Sequence, residues 1–124
     1  MNFFQRRKKL KGVNYLVLTP FRRFEHELKE DGLVTVLTPR FEQVFMKKFL
    51  NNSRKTAFVP THLDVLGSEV WLAMDGEKNV TSLCKVLDEK LGEKISPVEE
   101  RVTRFLTQLY LDRFISFKEV EDRS

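Results

Sequence analysis

Two amphipathic stripes in the C-terminal half constrain this chain's fold more than any other feature. Val80, Leu83, Cys84, Leu87 and Leu91 recur at offsets of three and four, with Lys85, Asp88 and Glu89 between them. That spacing predicts a helix with one buried face. Asn79 can cap its start, and Gly92 supplies the left-handed residue that ends many helices. A second stripe, Val98, Val102, Phe105, Leu106 and Leu109, follows Ser96-Pro97-Val98-Glu99. This tetrapeptide reads as a capping box with proline at the first helical position. Before both lies a further helix pattern, with Asp64 as its cap, Trp71 on it and Gly76 closing it after Met74-Asp75. The single cysteine, Cys84, lies on an apolar stripe, which predicts a small buried side chain and excludes an internal disulfide.

Upstream, the pattern changes to short strands. Arg23 to Lys29 and Leu33 to Thr38 are joined by Glu30-Asp31-Gly32, whose Asp-Gly pair favours the positive φ of a tight hairpin. Pro39 ends the second strand. Phe41, Val44, Phe45 and Phe49 then share one helical face while Gln43 and Lys47 point away, predicting a short basic helix. After the loop Asn51-Asn52-Ser53-Arg54-Lys55, Thr56 to Leu63 reads as a third strand. Pro60 interrupts it and places it at a sheet edge, because a central strand needs that amide. Phe114-Ile115-Ser116-Phe117 predicts a short terminal strand, the wing of a winged helix-turn-helix.

The expected fold class is therefore α+β, winged helix-turn-helix-like, with an N-terminal β-hairpin and a third edge strand packed on three helices. A chain of 124 residues has room for one such domain. Residues 1–20 are expected to form a basic N-terminal arm, laid against the domain or partly disordered, with a break at Thr19-Pro20. The domain itself is expected over 21–118, with a fraying tail at 119–124.

The formal charge of +4 comes largely from the N-terminal half, where Arg6, Arg7, Lys8, Lys9, Lys11 and their successors outnumber the acids. No apolar run approaches the roughly 20 residues that span a bilayer, and the first residues lack a secretory apolar segment, so the expected location is the cytoplasm. Catalysis needs a nucleophile beside a base, paired carboxylates or a metal cluster. None can be assembled here. His26 and His62 lie on separate predicted strands without Cys-X-X-Cys or His-Glu-X-X-His, and the five glycines are scattered at turns and caps. The expectation is a protein that is not an enzyme and holds no cofactor or metal.

Leu63-Asp64, Gly67-Ser68 and Val70-Trp71, followed by Asp75-Gly76, Phe105-Leu106, Leu109 and Phe114-Ile115, resemble in that order the PqqD-like family, also called RiPP recognition elements. The motifs cover about residues 56–118, with a looser match over the hairpin. The resemblance implies a non-catalytic peptide chaperone. It would bind the leader of a ribosomally synthesised precursor peptide as an added strand and present it to a modifying enzyme, commonly of the radical S-adenosylmethionine type. It also implies a site on the outer edge of the third strand and the groove towards the last helix. In this chain those are Phe58, Val59, Thr61 and His62, with Arg101, Arg104 and Gln108 on the flank of the helix; unpaired edge groups would take the ligand backbone. Asp64, Gly67 and Trp71 themselves read as cap, close-packing point and core. Lys47 and Lys48, on the basic helix, are the expected docking face for the enzyme.

Two other readings compete. A winged-helix shape and a sequence pI near 9.3 suit a nucleic-acid-binding protein. Glu99 and Glu100 argue against it, because they occupy the first turn of the helix that would face phosphate. The other is a structural subunit of an enzyme complex.

Overall fold

The computed structural model describes residues 3–39 and 58–121. The expected basic helix with Lys47 and Lys48, and the loop after it, lie outside the described residues. The fold is α+β. A first helix, α1 (Phe3–Lys9), leads through a single 3₁₀ turn at Tyr15–Val17 to four strands, β1 (Pro20–Arg22), β2 (Glu25–Leu28), β3 (Val34–Pro39) and β4 (Phe58–His62). Helices α2 (Val65–Ala73), α3 (Val80–Leu91) and α4 (Val98–Leu111) follow, then β5 (Ile115–Phe117) and the short α5 (Lys118–Glu121).

The three middle helices form where local signals are strongest. Asp64 accepts a hydrogen bond from the Gly67 amide at 2.7 Å and Asn79 one from the Ser82 amide at 2.9 Å, each satisfying a donor that a helix start leaves open. Gly92 ends α3 with φ 55°, where a side chain would be strained. Trp71, Val80, Leu83, Leu87, Val102 and Leu106 are buried as one core. Cys84 lies among them, as its place on the stripe predicts, and burial pushes its thiol above the ordinary value, away from the reactive thiolate.

The start of α4 differs from the expected capping box. Ser96 ends a 3₁₀ turn at Gly92–Ile95, and Pro97 is the N-cap, extended at ψ 121° with no side-chain cap. The cause is Ile95. Burying it requires the extra turn, which carries the chain past Ser96 before helical geometry begins. Pro97 still suits its position, since its carbonyl accepts the first helical bond from the Arg101 amide and no donor is asked of it.

The strands form two sheets. In the first, ordered β2-β3-β4 and antiparallel throughout, the predicted hairpin closes with Gly32 at φ 85° and with Asp31 accepting from the Leu33 amide. Val34 and Val36 are fully buried, and the Val34 amide donates to Ser68 Oγ at 2.9 Å, which ties the sheet to α2. The second sheet is a ribbon of β1 and β5, with Pro20 opposite Phe117 and Arg22 opposite Ile115. Thr19-Pro20 is thus a strand start rather than a break. Proline is tolerated at that first position of a strand with one neighbour.

Both ends of the described chain, from Phe3 and up to Glu121, are held down. Arg6 is only 4% exposed, its Nε donating to the Tyr110 carbonyl at 2.6 Å and its Nη2 to the Ile115 carbonyl at 2.7 Å. The guanidinium lies 4.0 Å above the Tyr110 ring, a cation–π distance. Tyr110 is fully buried and belongs to the core. At the other end, Val120 is buried and Glu119 accepts from the Thr19 amide at 2.6 Å and the Thr19 hydroxyl at 2.8 Å. Residues 118–121 form a helical turn rather than fray. Burial alone would push the Glu119 carboxyl up; the bonds from Thr19, with Lys118 nearby, outweigh it and hold the group below its ordinary value.

Candidate functional site

The geometry of β4 follows from the phase of its ladder with β3. The Leu63 amide donates to the Val34 carbonyl at 2.9 Å, and hydrogen-bonded and non-bonded pairs alternate along antiparallel strands. Thr61 with Val36 and Val59 with Thr38 are then the bonding pairs that continue inward. Phe58, Pro60 and His62 turn their main-chain groups to the other side, where no described strand pairs with them. Because proline lacks an N–H, that edge presents the amides of Phe58 and His62 with a gap between them, and carbonyls at all three positions.

Side chains alternate in the same register. Val59 and Thr61 share the face of the buried Val36, turned towards the helices, and Val59 remains 41% exposed. His62 projects to the opposite face, where its Nδ1 lies 3.0 Å from Thr35 Oγ1. His26, on β2, faces the core instead and meets Trp71 edge to face with 6.1 Å between ring centres. Burial, and then the charge of Arg22, pull the His26 imidazole below its ordinary value. Among the described residues no group of three or more His, Cys, Asp or Glu side chains is placed to hold a metal.

The strand runs directly into a cleft between α2 and α4. Asp64, Leu66, Gly67, Val70, Ile95, Arg101, Val102 and Phe105 enclose about 160 Å³ there. Gly67 sets its width. A Cβ at that position would lie 3.0 Å from Asp64 Oδ1 and 3.2 Å from the Phe105 ring, so only glycine lets Phe105 pack against the helix start while Asp64 keeps its capping bond. The cleft is an apolar slot with one cation at its side, Arg101, whose Nη1 donates to the Lys94 carbonyl at 3.0 Å.

The structure divides the helix residues expected at this site. Arg101 lines the cleft with Phe105. Arg104 points to the other side, paired with Glu100 at 3.1 Å and flanking Val13, Asn14, Tyr15 and Leu16. Gln108 donates to Asp112 at 2.9 Å and lines a different concavity, between α4 and α1. Phe58, Val59, Thr61 and His62 lie together on β4. Sequence reasoning did not single out Phe105 and Leu66 for the cleft, and Phe105 could have been found: it stands at the edge of its helical stripe rather than at the centre.

The family described as coenzyme PQQ synthesis protein D (PqqD) matches residues 52–115, just over half of the chain. The match covers β4, the three middle helices and the start of β5. The chain belongs to the PqqD-like family. Members of this family are non-catalytic accessory proteins of peptide modification or of coenzyme PQQ synthesis. No curated protein and no solved structure matches the chain. No helix among the described residues is long and apolar enough to cross a membrane.

Proposed function

We propose that this chain is a non-catalytic peptide chaperone that binds the leader of a ribosomally synthesised precursor peptide by strand addition and hands it to a modifying enzyme, commonly of the radical S-adenosylmethionine type. The observation that carries this reading is the outer edge of β4, whose main-chain groups pair with no described strand and which runs into an apolar cleft with a cation beside it. The ligand backbone bonds to Phe58 and His62, its side chains rest on Val59 and Thr61, one apolar side chain enters the slot beside Phe105, and a carboxylate meets Arg101. Arg104 and Gln108 contribute only to longer ligands that pass round α4. Lys47 and Lys48 remain the proposed docking face for the enzyme.

Two substitutions test the site with a leader peptide selected from a displayed library and measured by fluorescence polarisation. Arg101→Glu is expected to weaken binding roughly tenfold, about 1.4 kcal/mol, while Arg104→Glu has the smaller effect. Pro60→Ala restores the missing edge donor and is expected to tighten binding by two- to tenfold, on the order of one added hydrogen bond. Equal affinities for wild type, Arg101→Glu and Pro60→Ala would place the peptide elsewhere.

A further inference from the structure

The basic N-terminal segment has no part in the site above. Its run of cations is not a loose arm, because burying Arg6 against the carbonyls of Tyr110 and Ile115 clamps α1 to the end of α4. That clamp decides where the neighbouring cations point. Arg7, Lys8 and Lys11 line a concavity of about 1020 Å³ between α1 and α4, together with Leu10, Tyr15 and Leu111, with Phe4 at its margin and 79% exposed. No acidic side chain is among its described lining residues.

We infer that this groove is a second docking surface, for an acidic protein segment that carries an apolar side chain between its carboxylates. Charge complementarity selects the segment: three cations around an apolar floor match alternating carboxylate and apolar groups better than they match either alone. Polyphosphate is the poorer fit. The floor of Leu10, Tyr15 and Leu111 offers a phosphate nothing, whereas an apolar side chain between two carboxylates fills it. The groove and the β4 cleft lie against different faces of α4, since one takes Thr107, Gln108 and Leu111 and the other Arg101, Val102 and Phe105. One chain can therefore hold a leader and a second protein at once. This inference does not depend on the strand-addition reading.

The test uses the full chain carrying Arg101→Glu, which weakens the β4 cleft for acidic ligands, in a selection from a random displayed peptide library. The best peptide is then measured by fluorescence polarisation against that chain and against the same chain with Arg7→Glu and Lys11→Glu. Selected sequences are expected to carry at least two carboxylates around an apolar residue. Their affinity is expected to fall at least tenfold in the charge-reversed chain, and Lys8→Glu alone should give a smaller loss with the far-UV circular dichroism unchanged. Selection without acidic bias, acidic binders indifferent to Arg7→Glu and Lys11→Glu, or displacement of the peptide by equimolar duplex DNA would each overturn the proposal.

Discussion

Trp71→Ala should unfold this protein. The indole is fully buried, in contact with the His26 ring, at the centre of the core that α2, α3 and α4 build. Deleting so large a buried side chain costs about 3–5 kcal/mol, because the transfer free energy is lost and the cavity does not fully collapse. A small domain has only about 5–15 kcal/mol in total. Trp71 is the single tryptophan, so its fluorescence vanishes with the substitution and far-UV circular dichroism in urea is the suitable readout. Little or no cooperative transition is expected at 37 °C. A transition within 1 kcal/mol of the wild type would show that the indole is not the keystone of the core described above.

Arg6→Ala should be the second most damaging change, although Arg6 belongs to what reads as a surface cluster of cations. It removes two charge-assisted bonds to buried carbonyls and a cation–π contact with Tyr110. Bonds to charged groups contribute about 1.5–3 kcal/mol each, and recovering the guanidinium's hydration offsets part of the loss, so about 2–3 kcal/mol is expected. Urea unfolding should show that loss, and hydrogen exchange should show the α1 amides losing protection before the middle helices. Arg7→Ala, on the exposed side of the same helix, should stay within about 0.5 kcal/mol of the wild type. Equal effects of the two substitutions would mean that α1 is held by general charge rather than by the buried guanidinium.

These two residues illustrate what could be read from the residues alone. Trp71, the caps at Asp64 and Asn79, the Gly32 turn and the Gly92 helix end were readable because each rule acts within four or five positions of the residue concerned. Arg6 was not, since nothing near it announces that the carbonyls of Tyr110 and Ile115 will meet it from more than a hundred positions away. Pro20 misled for the same reason: a proline reads as a break until the strand it opens finds β5 at the far end of the chain. Ser96-Pro97 misled more subtly, because the capping rule was sound but the burial of Ile95 moved the helix start past it.

The candidate site shows the same division. The edge position of β4 was readable from Pro60, whereas the direction in which the Pro60 nitrogen points depends on the register with β3. Arg101, Arg104 and Gln108 fall on one flank of a helical wheel. Only the rotation of α4 against α2 puts Arg101 in the cleft and leaves the other two facing Leu16 and α1.

The central claim is that peptide binds by adding a strand to the outer edge of β4, and amide hydrogen exchange at single-residue resolution tests it most directly. With a saturating leader peptide, the Phe58 and His62 amides should gain protection. Val59 and Thr61, already bonded to β3, should change little. Protection confined to α1 and α4, with Phe58 and His62 exchanging at the rate of the free protein, would contradict strand addition and move peptide recognition to the helical side.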